Sequence, residues 1–538
     1  MEMANEKMED EALRLTGHME RFNITRTSLK FYNKVNVTAR YAFPCTLLPS
    51  GSAPPLKSLI YQTLAEGLKS QSLLGVVIED EDTREPRWRR LETIDFDDVV
   101  SFVEEDPEGS WDEWILKGHR EELDRVDELP LWRVVVASKP LEVATERETG
   151  TFKFAVAFFY HHAIGDGLSG AAFHLTFKDA LNTLLTSPVE SVCNSGVEIQ
   201  KIPLVHCLEQ GTTMPLTIWF LLKKVFTSYI YNPVDTLSWT GPLISASMPR
   251  PPCNLKSFDI EPLAVARLVK RCREERTTVT ALVTVLTARK LALLYPEYKH
   301  FKGTIPFSMR GFSGHGERDM GVFVTNIEQL FCSSPSTPSG YISCRSPTTP
   351  KSLGDDFEDS KIGEEDTLLW QSAREMKNKL NTGSASPKNQ NVALLAYATD
   401  YKKFFLSRLG AGRDHAFEIT NIGVVDGSGS GEGASAGGNH EDRESQNVVF
   451  DKVSFSGSIS LYGSPYTVAV ASAKGGCMNV CVRWGVNVVS EREARGFAGW
   501  LERELKGHSS DRIGVTKTTE FHPTKSGTKP RKRRLGGT

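Results

Sequence analysis

The run His161-His162-Ala163-Ile164-Gly165-Asp166-Gly167 sets two adjacent histidines, an aspartate and a glycine at the spacing HHxxxDG. Neutral imidazole is the side chain best suited to take a proton near neutral pH. The run follows a strongly apolar stretch, Phe152 to Tyr160, whose composition predicts a buried strand. A histidine at the end of such a strand is held in a rigid place. The residues alone leave two readings open: a general base, or a core histidine bonded to a backbone carbonyl. Asp166 is a further group that could take part in the chemistry. Gly165 and Gly167 suit a tight strand-to-helix turn, which needs backbone angles and close approaches that other residues resist.

Other chemistries find little support. The nine cysteines are scattered, with no CxxC and no Cys/His cluster at zinc-finger spacing. No metal site is expected, and the thiols read as reduced. Gly427-Ser428-Gly429-Ser430-Gly431 lacks the lysine and the strand–helix context of a phosphate loop. There is no GxSxG elbow to support a serine hydrolase. A net charge of −3 over 538 residues offers no footprint for nucleic acid.

The elements that must position the histidines follow from periodicity. Asn33 to Ala42 alternates like a strand, and Leu131 to Ala137 reads as a buried one. Helical spacing runs from Pro55 to about Leu74 and from Trp111 to Val126. Gly167 and Gly170 open a helix with Phe173, Phe177 and Leu181 on its apolar face. Residues 210–250 are irregular and proline-containing, and read as a crossover. Helices are predicted over 261–275 and 278–294, then strands over 303–309, 322–330, 452–461, 466–472 and 479–484. Ser490 with Glu493 predicts a capping box for a last helix. Residues 333–366 and 427–446 are polar enough to read as disordered insertions, and 508–538 as a basic disordered tail. No cleavable signal is evident near the start, so a cytoplasmic protein is expected. Met214 to Tyr231 falls short of a membrane span but suits an amphipathic helix, either packed between domains or in peripheral contact with a membrane.

The HHxxxDG run at a strand end resembles the chloramphenicol-acetyltransferase-like superfamily. Within it, the fungal-type alcohol acetyltransferases match more of the chain. Gly17-His18-Met19-Glu20-Arg21-Phe22-Asn23-Ile24-Thr25-Arg26 resembles that family's opening, together with Phe31-Tyr32-Asn33-Lys34-Val35 and Tyr41. Pro130 to Val134, Thr304 to Arg310 and Phe417 to Gly423 resemble further segments, so the likeness spans roughly 15 to 507. The DFGWG run of the plant branch is absent.

The resemblance implies an α/β (α+β) fold of two similar lobes, each a mixed sheet flanked by helices, with a channel between them. The lobes would be 15–209 and 251–507. It implies His162 as general base, His161 as supporting neighbour, and Asp166 as a structural carboxylate with Arg310 as candidate partner. Gly167 would serve the turn, and Thr420 and Asn421 are candidates for the oxyanion site or channel wall. It implies acetyl-CoA, or another acyl-CoA, as co-substrate, a small-molecule alcohol acceptor and a monomer. The leading function is an alcohol O-acetyltransferase. The alternatives are condensation or N-acylation on an amine or carrier-bound donor, and a non-catalytic acyl-CoA-binding protein.

Overall fold

The apolar run ahead of the histidine pair is the strand Thr151–His161, whose last eight residues are buried. The computed structural model describes residues 12–47, 56–139, 150–186, 195–226, 235–247, 252–333, 342–343, 361–427 and 448–509. With strands numbered along the chain, this one is β8, at the centre of a five-stranded sheet. The order is β15 (Val449–Gly457), β2 (Lys34–Pro44), β8, β7 (Trp132–Ser138) and β6 (Val100–Glu104). β2 is antiparallel to β15 and β8, β7 is antiparallel to β8, and β6 is parallel to β7. One cross-strand row joins Gly457, Val35, Tyr160 and Trp132, one step from the paired Lys34 and His161.

A seven-stranded sheet forms the second lobe. Its order is β10 (Cys253–Ile260), β17 (Met478–Gly485), β16 (Tyr466–Ala473), β14 (Phe417–Val425), β11 (His300–Ser308), β12 (Val324–Ser333) and β13 (Ile342–Ser343). β14 runs parallel to β16 and β11, and the other pairs are antiparallel. Two small sheets complete the set: β1 (Ala12–Leu15), β4 (Arg87–Arg90) and β3 (Val76–Glu79), then β5 (Thr93–Asp95) with β9 (Gly196–Glu198).

Each large sheet buries its apolar face under helices. In the first lobe, α1 (Leu56–Leu68) and α2 (Gly167–Thr186) bring Leu59, Leu64, Phe173 and Phe177 onto Val37, Val134 and Phe158. The rings of Phe158 and Phe173 stack at 3.8 Å. In the second lobe, α3 (Val279–Leu294), α4 (Lys361–Gly383) and α5 (Glu491–His508) bring Leu286, Trp370 and Phe497 onto Phe301, Ile419 and Val480. Each such side chain contributes about 1.5–3 kcal/mol on leaving water.

Several expectations need correction. α4 begins at Lys361, inside the stretch expected to be disordered, and its Leu369, Trp370, Ala373 and Met376 are buried. The helix expected over 111–126 covers only Asp112–Arg120, because Glu121 is extended. Ser490 accepts from the Glu493 backbone amide, but the Glu493 carboxylate accepts from the hydroxyls of Tyr466 and Tyr295 instead of closing a capping box. Of the expected insertions 333–366 and 427–446, residues 334–341, 344–360 and 428–446 lie outside the described residues, and Ile342–Ser343 forms β13. Of the expected tail 508–538, His508 closes α5 and everything from 510 lies outside the described residues. Among the described residues no single helix is long and apolar enough to cross a membrane.

Candidate active site

β8 ends at His161, and the chain turns through Ala163 to Asp166 before α2 begins at Gly167. The two histidines leave the strand end in different environments. His161 is fully buried, and its Nδ1 accepts from the Ala163 amide at 3.0 Å. Burial, reinforced by the neighbouring His162 and by Arg26, pushes its pKa down to about 3. His161 is therefore a neutral brace within the turn.

His162 lines a cavity of about 310 Å³ between the lobes. Its Nδ1 is shut off from solvent, leaving Nε2 as the nitrogen on the cavity side. Burial, with the positive charge of Arg26 second, lowers its pKa to about 4. The imidazole is neutral at pH 7 and free to accept a proton. Its main chain is tied down from outside the turn, since Asn23 Nδ2 donates to the His162 carbonyl at 3.2 Å. Its ring lies 5.8 Å from the ring of Tyr32.

Asp166 faces the second lobe. Arg310 grips it with two hydrogen bonds, Nη1 to Oδ2 at 2.8 Å and Nη2 to Oδ1 at 3.0 Å. The backbone amides of Ser169 and Phe323 also donate to the carboxylate, at 3.0 and 3.1 Å. Burial alone would raise its pKa, but Arg310 and these donors overcome that and hold it below the ordinary carboxylate value. Its lone pairs are thus occupied by fixed donors from the turn and from the second lobe. Gly167 permits close contact, because a Cβ there would stand 2.6 Å from Ile422 Cγ2 and 2.9 Å from Phe455.

The structure separates the two β14 candidates. Thr420 lines the cavity. Asn421, on the opposite face of the strand, donates to Thr280 Oγ1 at 2.8 Å and accepts from the Gly423 amide at 2.7 Å. It is absent from the cavity wall and secures a bulge in β14, where Gly423 adopts φ +78°.

The wall residues not singled out from sequence include Arg26, Tyr32, Glu418 and Arg483. Arg26 and Tyr32 lie within the segments that resemble the family's opening, which was a usable signal. Arg483 is one arginine in a strand and carried none. A larger cavity of about 500 Å³ lies between Arg21, Glu81 and Tyr401. It holds none of the HHxxxDG residues, whereas His162, Asp166 and Gly167 line the smaller one.

Comparison with known proteins shows the family. Residues 15–326 match the family model for alcohol acetyltransferase. A probable alcohol acetyltransferase of Aspergillus fumigatus is 24% identical over 91% of this chain and 97% of its own length. One of Fusarium pseudograminearum is 24% identical over 94% of this chain and 97% of its own. The trichothecene 15-O-acetyltransferase of Fusarium sporotrichioides superposes with a TM-score of 0.63 at 11% identity, over 92% of this chain and 94% of that one. The first condensation domain of the calcium-dependent antibiotic synthetase does so at 0.54 and 11%, over 93% and 97%. The two structures share the two-lobed fold. The family model covers more than half of the sequence, and on that ground the chain belongs to the alcohol acetyltransferase family.

Proposed function

We propose that this alcohol acetyltransferase uses His162 as general base in direct transfer of an acetyl group from acetyl-CoA. The acceptor is a small alcohol or a hydroxylated secondary metabolite. The observation that carries the reading is a neutral imidazole on the wall of the interlobe cavity, on a turn clamped by Asp166 and Arg310. A protonated hydroxyl is a poor nucleophile. As its oxygen attacks the thioester carbonyl, His162 Nε2 takes the proton. The tetrahedral intermediate collapses, the C–S bond breaks, and the proton passes to the departing thiolate. Thr420 is the candidate donor to the oxyanion, and His161, Asp166, Gly167 and Arg310 keep His162 in place.

In sequence order the lobes are proposed as 15–209 and 251–507, with 210–250 crossing between them. The chain is proposed to act as a monomer. Peripheral membrane contact is proposed through the helix Ile218–Val225, where Ile218 and Trp219 are 64% and 78% exposed.

Release of free coenzyme A, followed with a thiol reagent against a panel of alcohols, tests the mechanism. His162→Ala is expected to lose about a hundredfold to ten-thousandfold in kcat. Unchanged turnover would remove His162 from the mechanism. Competition between matched alcohols and amines separates oxygen from nitrogen acceptors.

A further inference from the structure

Arg483 is 5% exposed, yet it is nearly idle. Its one hydrogen bond runs from Nη1 to the Ser458 carbonyl at 3.3 Å, and its buried Nε has no partner among the described residues. The guanidinium could donate five. No carboxylate among the described residues stands within ion-pair distance of it. A buried charge without a counter-charge is costly, and natural sites resolve that cost with a partner or a ligand. Arg483 is on the wall of the His162 cavity, so a ligand can reach it.

A second arginine converges on the same place. Arg26 lies 4.2 Å above the Tyr32 ring, donates to Asn23 Oδ1 at 2.7 Å, and also has a buried Nε without a partner among the described residues. Tyr32 connects the two arginines to His162. Its ring lies 5.8 Å from the imidazole, tilted by 53°, and its hydroxyl end meets Gly457. A Cβ on Gly457 would stand 2.5 Å from that hydroxyl and 2.7 Å from Arg483 Nη1. Arg483 therefore sits about one tyrosine away from the base.

The other wall charges do not satisfy these arginines. Asp166 is held by Arg310, and Asp414 by Arg408 at 2.8 Å. Glu418 is the remaining wall carboxylate, and it makes no ion pair with either arginine among the described residues. Two guanidiniums against one carboxylate leave this end of the cavity positive.

We propose that the acceptor is a hydroxy acid whose carboxylate binds Arg483 and Arg26 while its hydroxyl reaches His162; the inference rests on the reading of His162 given above. The acetyl group carries no charge, so it cannot supply the anion. The phosphates of coenzyme A are separated from the thioester by the whole pantetheine arm, much longer than the one tyrosine between Arg483 and His162. A carboxylate on the acceptor fits both the span and the bidentate geometry of arginine.

The test compares a series of hydroxy acids of increasing chain length with their methyl esters, each with acetyl-CoA. The readout is the ratio of kcat/KM for acid over ester, in which any general loss of folded enzyme cancels. The native chain is expected to favour the acids. Arg483→Gln is expected to lower the ratio by about tenfold to a hundredfold, with Arg483→Lys retaining more of it than Gln. A native ratio at or below unity across the series, or a ratio unchanged in Arg483→Gln, would overturn the proposal. Calorimetric titration of His162→Ala with the same acids and esters reads recognition without turnover. Tighter binding of the acids there supports the anion site even if His162 proves not to be the base, and equal binding of both overturns it.

Discussion

Burial makes His162 a base that is unprotonated before substrate arrives. Its pKa of about 4, set by burial and then by Arg26, lies below the ordinary histidine value of 6.5. The acid limb of kcat/KM is therefore expected to stay flat as pH falls through 6.5 and to drop only toward about 4. A limb centred on the ordinary histidine value, read in a short assay on folded enzyme, would contradict this. Stability moves in the same direction. His161, at about 3, and His162 and the His174 buried in α2 beside the Val37 carbonyl, each at about 4, refuse a proton that the unfolded chain accepts below 6.5. The unfolded state binds more protons in that window, so stability is full above it and is lost as pH falls through it. Urea midpoints measured across the window should fall steadily. The Asp166–Arg310 pair makes a separate prediction. Arg310→Gln leaves a buried carboxylate without its counter-charge and should cost about 3–5 kcal/mol in denaturant unfolding. A loss well under about 1 kcal/mol would mean that the amides of Ser169 and Phe323 hold Asp166 unaided.

The helix after the turn is set by a close approach. A Cβ on Gly170 would stand 2.2 Å from Val37 Cγ2 and 2.9 Å from the Tyr160 hydroxyl, which itself donates to the Asp166 carbonyl at 2.6 Å. Gly170→Ala should push α2 off β2 at a cost of about 1–3 kcal/mol. Val37→Ala should relieve that cost, with a coupling of about 0.5–3 kcal/mol in a double-mutant cycle. Strict additivity would show that α2 shifts without strain. Helix Ile218–Val225 carries another prediction: Trp219→Ser should reduce co-sedimentation with anionic vesicles, and equal sedimentation would remove the membrane contact. Elements of this kind were legible where periodicity was strong. β8, α2 and α3 announce themselves as apolar runs or stripes. α4 did not, because its buried Leu369, Trp370, Ala373 and Met376 follow an acidic and polar lead that dominates the composition. At the site, the histidine turn was readable from spacing and the Asp166–Arg310 contact was anticipated from resemblance. Arg483 was not readable, because a buried unpaired charge is defined by what surrounds it. Asn421 and Thr420 looked alike in sequence, and only the alternation of β14 and its bulge separates them.

At the scale of the molecule, β15 decides how the lobes behave. The chain leaves the second sheet after β14, adds β15 to the edge of the first sheet against β2, and returns to the second sheet as β16. Sequence shows that such a segment is a strand, but not which sheet receives it, because its partners lie some four hundred positions away. Phe450, Val453 and Phe455 complete the first core. Other ties cross in parallel. Lys452 reaches Asp259 at 2.8 Å and lies 4.1 Å over the Trp111 ring, Asp112 accepts from Lys256 at 3.1 Å, and Arg310 holds Asp166. Removing the second lobe would strip a strand from the first and leave β2 as an open edge. The lobes should therefore unfold together. Scanning calorimetry is expected to give one transition whose calorimetric and van't Hoff enthalpies agree, although the chain is long for such behaviour. Two resolved transitions would show that β15 does not couple the lobes. The cavity wall draws on β15 through Phe455, Ser456 and Gly457 and on β17 through Arg483. Displacing β15 should therefore open the site before either core melts. Gly457→Ala, which places a methyl group against Tyr32 and Arg483 at the end of β15, should lower acetyl transfer at temperatures where the calorimetric transition has not begun. Activity that persists up to the transition would place the control of the site elsewhere.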